Sequence, residues 1–459
     1  MKLIKSTIYS SIISLSLLLS SCESFLDIDP PKDQVSAENA FQDAKSAEAT
    51  ILGVYSNMNN FNNQFGSGLL AMLMSITADD YYSAFTSYDA YKLNNITPNT
   101  DYLDRLWSQP YSTIGHCNKV IEGVENSSLS AEIKKQISAE ARFTRSFHYF
   151  YLVNLFKKIP LVTNSDVSSS NTQGQVSPEE VYNFLVQDLK QAEADIDDDY
   201  QGTERVRPNK KAVSALLARV YLYKGDYENA EISASKVIED TRYQLMNNLN
   251  EVFLKTSKEA LWQIQTVNTS TAGVNTWEGF SMVPVNATAR GYYNVFQKTM
   301  DSFEVDDKRK TDWLKPYTIT SGTFYTPYKY KIRTSIGSPV MEYNMVLRLA
   351  EQYLIRAEAR LKLNKNKLAV DDVNAIRKRA GLILLPETIA ANDLAIAIEK
   401  EKHLELLGEW GHRWFDLNRT NRAVAVLSQT KGNFTQEDTR IPIAQSILLS
   451  NINLKQNDQ

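Results

Sequence analysis

Two stretches of the chain set flat aromatic rings among short polar side chains, a combination suited to holding a ring-shaped ligand. The first, 77–103, contains Asp80, Tyr81, Tyr82 and Tyr88, with Asp79, Phe85, Tyr91 and Tyr102 in the same run. The second, 267–341, contains Trp277, Arg290 and Tyr292, in a series that also holds Phe280, Tyr293, Trp313, Tyr317, Phe324, Tyr325, Tyr328 and Tyr330. A sugar ring presents an apolar C–H face and a rim of hydroxyls, so its site needs aromatics for stacking and Asn, Asp, Arg or Lys for the rim. Tyr81, Tyr82, Tyr88, Trp277 and Tyr292, with Asp80 and Arg290 as polar partners, meet that need. Tyrosine serves peptide ligands as well, so these residues alone do not choose between the two.

No comparable pattern supports catalysis. His116, His148, His403 and His412 lack His-Glu-x-x-His spacing, Gly66-Ser67-Gly68 is not a nucleophile elbow, and no glycine-rich phosphate loop occurs. The run Asp195-Ile-Asp-Asp-Asp-Tyr-Gln-Gly half resembles a calcium loop, but Tyr200 stands where the sixth position requires glycine. No cofactor is therefore expected, and calcium is the one metal to consider. Cys117 falls in an apolar-periodic stretch and reads as a small buried hydrophobe. The absence of a basic run or arginine-rich stripe argues against nucleic acid.

Cys22 offers a different chemistry. Lys2 and Lys5 precede a mostly apolar run at 8–19, and small residues lead into the cysteine, which is the layout of a secretory signal. The run is shorter than the ~20 residues a spanning helix needs. Leu19-Ser20-Ser21-Cys22 resembles the bacterial lipobox, so 1–21 is expected to be a signal peptide and Cys22 the lipidated first residue of a mature chain, 22–459. Formal charge is −4, and loss of Lys2 and Lys5 leaves −6. With two cysteines the chain has no disulfide framework.

The elements that must carry these residues are mainly α-helices in pairs. Ala215, Ala218 and Leu222, then Ala230, Ala234 and Val237, recur at helical spacing on either side of Gly225-Asp226, the tetratricopeptide pattern of one hairpin per repeat. A second pair reads from Val346 to Leu361 and, after Asn364-Lys-Asn-Lys, from Leu368 to Gly381. Further helices are predicted at 37–58, 131–156, 178–196 and 393–407. Phe143, Phe147, Phe150 and Tyr151 form a core stripe, as do Trp410 and Trp414. Arg142, Arg145, Arg377, Arg379, Arg413 and Arg419 read as buried or interface ion-pair partners. The expected fold is a tetratricopeptide-like helical scaffold bearing two irregular insertions at 77–103 and 267–341, where binding surfaces tend to sit.

In order along the chain come Cys22-Glu-Ser-Phe-Leu-Asp-Ile-Asp-Pro, Ala139-Glu-Ala-Arg-Phe-Thr-Arg-Ser-Phe with Ile159-Pro-Leu-Val, Leu217-Ala-Arg-Val-Tyr-Leu-Tyr, Ala357-Glu-Ala-Arg, Asn374-Ala-Ile-Arg-Lys-Arg-Ala-Gly-Leu and Glu405-Leu-Leu-Gly-Glu-Trp-Gly-His-Arg-Trp-Phe-Asp-Leu-Asn-Arg, ending with Ile441-Pro-Ile. In this series the chain resembles the SusD/RagB family of nutrient-binding outer-membrane lipoproteins of the Bacteroidetes. One departure is Lys157, where a glycine commonly follows the phenylalanine. The resemblance implies a surface lid on a SusC-like TonB-dependent β-barrel transporter that captures an oligosaccharide, or a peptide, and loads it into the barrel. It fixes no ligand residue by motif. A non-catalytic repeat-scaffold adaptor of the transporter complex is the other reading.

Overall fold

The computed structural model describes residues 40–59, 63–167, 171–266, 273–286, 289 and 291–457. The predicted signal peptide, Cys22 and Arg290 lie outside the described residues. The fold is mainly α, with short two-stranded sheets between the helical blocks.

The principal helices are α1 (Ala44–Met58), α2 (Leu70–Thr77), α3 (Arg105–Glu125), α4 (Ala131–Phe156), α5 (Pro178–Asp195), α6 (Lys210–Lys224), α7 (Tyr227–Ile238), α8 (Trp277–Met282), α9 (Leu349–Lys362), α10 (Asn366–Ala380), α11 (Ala391–Glu405), α12 (His412–Arg419) and α13 (Ala423–Lys431), all but α8 belonging to the scaffold. Local chemistry sets several boundaries. Ser177 and Glu180 form a capping box around Pro178 at the start of α5, and Asn209 caps α6 by accepting from the Ala212 amide. Gly225 ends α6 at φ 81°, a left-handed conformation that a side chain would strain, so the chain reverses at once into α7. Ala212, Ala215 and Ala218 of α6 and Ala230 and Ala234 of α7 are fully buried, which lets the two helices approach closely.

Packing continues from α3 to α4, α5, α6, α7, α9 and α10, each helix resting on the next. The likeness to tetratricopeptide repeats remains one of sequence spacing and helix pairing. On α4, Phe143 and Phe147 meet Trp262 edge-on at 4.8 and 5.1 Å, and Phe147 meets Trp410 at 5.2 Å. Cutting so enclosed a ring back to alanine costs about 3–5 kcal/mol. None of the described helices is long and apolar enough to cross a membrane.

Two local expectations change. Residues 346–348, read as the start of a helix, belong to β6 (Asn344–Arg348), which pairs antiparallel with β2 (Ala260–Ile264) and is wholly buried, so the helix begins at Leu349. The second insertion is also more regular than expected: it carries α8, β3 (Tyr293–Val295) and a ladder of β4 (Leu314–Ile319) on β5 (Gly322–Pro327). Joining the two insertions, β1 (Tyr81–Ser83) pairs antiparallel with β3, with Tyr81 opposite Val295 and Ser83 opposite Tyr293.

The arginines expected in ion pairs are there. Arg145 and Arg142 share Asp188, Arg377 bridges Glu304 and Glu401, Arg379 meets Glu259 and Glu405, and Arg419 joins Glu358 and Asp416. Arg219 is clamped by Glu351 at 2.6 Å and by the Tyr151 hydroxyl at 2.9 Å.

Candidate functional site

The wholly buried helix α2 delivers the chain to Asp79 and Asp80, which lock the first insertion to the scaffold. Arg413 on α12 donates to Asp79 through Nε at 2.7 Å and Nη2 at 3.1 Å. Asp80 meets His403 Nε2 at 3.0 Å, and its other oxygen accepts the Gly408 amide at 3.2 Å. The backbone carbonyl of Asp80 accepts from Phe296, just beyond β3. Burial alone would push the Asp79 carboxyl up, but the Arg413 and His403 charges outweigh it and hold its pKa below the ordinary value. Asp79, Asp80 and His403 are, among the described residues, the group whose ligand atoms lie close enough to share a metal, within 4.8 Å. Those atoms are engaged by Arg413, the Gly408 amide and one another.

The β1–β3 ladder then decides which aromatics face where, because successive side chains of a strand point to opposite faces. Tyr81 points inward, is 0% exposed, meets Tyr293 edge-on at 6.1 Å and packs over Gly408. The expectation that Tyr81 and Asp80 face a ligand is thus corrected: register sends the ring into the core, and Asp80 is a buried anchor. Tyr82 emerges on the other face, half-buried between Phe296 at 5.1 Å and the Lys92 ammonium at 5.2 Å. Tyr292 stands at the ladder's end, 48% exposed and stacked on the similarly open Phe85 at 4.7 Å.

Beside this ladder lies a cavity of about 370 Å³ that takes its walls from both insertions. Tyr88 stacks on Tyr102 at 5.5 Å, and the Arg105 guanidinium lies over Tyr102 at 5.1 Å while donating to Gln64. Helix α8, capped by the Thr276 hydroxyl, which accepts the Gly279 amide at 3.0 Å, supplies Trp277 and Phe280, edge to face at 6.0 Å. Tyr293 of β3 completes the aromatic lining. Tyr102 holds φ 67°, a left-handed backbone that is uncommon for an aromatic residue and that collects at functional sites.

The polar wall is Glu278. Burial first, and the Glu409 charge second, raise its pKa to about 8, against the pull of the Asn344 amide that donates to it at 2.5 Å. At neutral pH its carboxyl therefore keeps its proton and can donate as well as accept. Gly68 faces it at φ 105°, and a Cβ there would sit 2.9 Å from Glu278 Cγ, so glycine is what this wall allows.

Of the residues named from sequence, Tyr88 and Trp277 line the cavity, Tyr292 stands exposed on the neighbouring ladder, Tyr82 lies outside, Tyr81 and Asp80 are buried, and Arg290 is outside the described residues. Sequence reasoning passed over Gln64, Gly68, Tyr102, Arg105, Glu278, Phe280 and Tyr293 as site residues. Tyr102, Phe280 and Tyr293 carried the same aromatic signal as the residues chosen. Gln64 and Arg105 fall outside the insertions and had none. In the acidic run at 195–199, Arg242 donates to Asp198 at 2.8 Å and to Asp199 at 3.1 Å, and the Tyr200 hydroxyl bonds the Leu261 carbonyl at 2.9 Å.

A family model described as starch-binding, associating with outer membrane, matches residues 24–222, and the model of the SusD family matches residues 309–458. The chain belongs to the SusD/RagB family. The SusD-like protein P38 of Formosa agariphila is 26% identical across 100% of this chain and 99% of its own. The starch-binding protein SusD of Bacteroides thetaiotaomicron is 26% identical over 70% of this chain and 72% of its own. A solved laminarin binding SusD-like protein shares the fold with a TM-score of 0.74 at 24% identity, covering 91% of this chain and 99% of that one.

The SusD-like signature from Glu405 to Arg419 does structural work here. Glu409 binds Arg348 and Lys329, the Trp410 indole donates to the Met345 carbonyl at 2.8 Å, Arg413 holds Asp79, and Asp416 meets Lys402 at 2.8 Å. The family's most legible residues thus hold the scaffold that positions the insertions, while the cavity residues lie outside any motif.

Proposed function

We propose that this SusD-like chain captures oligosaccharide in the cavity between its insertions and delivers it, uncleaved, to a SusC-like TonB-dependent transporter of the outer membrane, where lipid on Cys22 tethers it. The observation that carries the reading is the convergence of Tyr88, Tyr102, Trp277, Phe280 and Tyr293 on one cavity of about 370 Å³ with Arg105 and the buried Glu278 at its wall. Flat rings take the C–H faces of sugars, and the guanidinium and carboxyl groups take their hydroxyls. A starch-binding relative and a laminarin binding structural neighbour support glycan over peptide.

Calorimetry of the chain lacking residues 1–22 tests this against malto- and laminari-oligosaccharides beside a peptide panel. Saturable glycan binding without product is expected, with Trp277→Ala and Tyr88→Ala each weakening it roughly tenfold, or about 1.4 kcal/mol. Unchanged glycan affinity in the double variant would sink the proposal, and binding to peptides alone would transfer the site to peptide capture. Full-length Cys22→Ser protein should leave the membrane fraction with its ligand affinity intact.

A further inference from the structure

The largest of the prominent cavities is a different one, and no residue of the aromatic site lines it. At about 670 Å³ it lies among the end of α4, the segment at 174–175, the residues after α12 and the C-terminal stretch to Asn457. Among the described residues its lining holds four cations, Lys157, Lys158, Arg440 and Lys455, with side-chain amides and no carboxylate. The amides make it rigid. Gln175 donates to the Lys158 carbonyl and accepts the Lys455 amide, both at 2.9 Å, and Gln456 braces Ile443 through both of its amide atoms.

Arg440 differs from its counterparts elsewhere in the molecule. Every other described arginine donates to a carboxylate, an amide oxygen, a hydroxyl or a backbone carbonyl, from Arg105 on Gln64 to Arg422 on Glu399. The Arg440 guanidinium has no partner among the described residues, and its Nη1 is a buried donor left unpaired. The carboxylate of nearby Asp438 is engaged by Thr435. Asn457 donates to the Ile441 carbonyl at 2.6 Å, while its Oδ1 is a buried acceptor also left unpaired. A buried donor and a buried acceptor without partners in one cavity each incur a desolvation cost that a ligand would relieve.

Lys157 is the third sign. It holds φ 62° and ψ −82° as the residue that ends α4, a strained backbone that glycine adopts freely, and it is a lysine. Strain retained at a residue whose side chain lines a cavity points from geometry to use. The cavity walls desolvate its ammonium enough to draw its pKa below the ordinary lysine value, although the residue as a whole is exposed.

We propose that this cavity is a second binding site, for a small anionic sugar: a carboxylate or sulfate group pairs with Arg440, Lys157 and Lys455, and a ring hydroxyl donates to Asn457 Oδ1. The volume falls within the 300–1,000 Å³ usual for small-molecule pockets. With amides and cations predominating in the walls, a charged, hydroxyl-bearing guest suits it better than a neutral glucan that stacks on aromatics.

Calorimetry on the chain lacking residues 1–22 tests the site with glucuronate, glucose 6-sulfate, glucose and inorganic sulfate. One or both acidic sugars should bind and weaken with added salt, glucose should not bind at this site, and sulfate should be at least tenfold weaker than the better acidic sugar. Arg440→Gln and Lys157→Gly should each cost that binding tenfold or more, with the thermal midpoint held and binding at the aromatic cavity unchanged. Lys157→Gly is the safer variant for folding, because glycine suits the backbone there. Trp277→Ala should leave acidic-sugar binding intact, which separates this site from the proposed glycan cavity. The proposal falls if neither acidic sugar binds, if sulfate binds as tightly (an adventitious ion only), if both cation variants leave affinity unmoved, or if Trp277→Ala abolishes the binding.

Discussion

Removing the charge of Asp79 should both destabilise the protein and loosen its binding cavity. The Asp79 and Arg413 side chains are 3% and 9% exposed and are joined by hydrogen bonds of 2.7 and 3.1 Å, so this is a buried, bidentate pair. Taking one partner from such a pair strands the other charge and costs about 3–5 kcal/mol. Asp79→Asn keeps the shape and one acceptor, and Glu399 lies 3.6 Å from Arg413, so the lower end, about 3 kcal/mol, is expected. At a urea m-value of about 3 kcal/mol per M, the unfolding midpoint should fall by about 1 M. The double variant Asp79→Leu with Arg413→Met should recover at least about 1 kcal/mol relative to the sum of the single changes. Because Asp79 and Asp80 anchor the base of β1, glycan affinity at the cavity should fall in the same variant. A loss below about 1 kcal/mol, the value of an exposed pair, together with additive double-variant energies, would refute the lock. The pH dependence has a defined sign. The native pKa of Asp79 lies below its unfolded value, so its contribution is present above about pH 4 and is lost as pH falls through the native pKa, a loss absent from Asp79→Asn.

Glu278 acts in the opposite direction: its pKa is raised to about 8, so its contribution is full below the unfolded value near 4.5 and is lost as pH rises through 8. Glu278→Gln, which mimics the protonated acid, should remove up to about 1.4 kcal/mol per pH unit from the slope of stability between pH 5 and 8, measured by urea melts at several pH values. Gly68→Ala should cost about 1–2 kcal/mol, because alanine strains the left-handed backbone and its methyl meets Glu278, and a thermal midpoint equal to that of the parent would contradict the wall as described. The thiol of Cys117 is buried and pushed up to about 12, so in a chain lacking Cys22 iodoacetamide at pH 8 should label the native protein far more slowly than the urea-unfolded protein. Rapid native labelling would overturn that burial.

What was legible in the sequence followed from local periodicity. The stripe of Phe143, Phe147, Phe150 and Tyr151 and the alanines on either side of Gly225 state helix, face and boundary within a few turns of chain. The boundary at Val346 was misread because the short apolar run Met345-Val346-Leu347 suits a buried strand as well as a helix. Pairing with β2, far upstream, decided for the strand. The six arginines announced buried ion pairs, since guanidinium suits that task, but nothing in the sequence named Asp79 as the partner of Arg413.

The sequence by itself determined a mainly helical scaffold, two aromatic-rich insertions, an expected lipid attachment at Cys22, and the family. Tertiary structure alone decided which rings meet a ligand. Tyr81 and Tyr82 are adjacent and chemically identical, and only the register of β1 on β3 sends one into the core and leaves the other half-buried on the opposite face. Tyr88 and Trp277 share a cavity because that same ladder and the Asp79–Arg413 pair bring distant segments together. Contacts between residues so far apart in the chain depend on strand register and charge pairing across the whole fold, and local sequence patterns do not specify either.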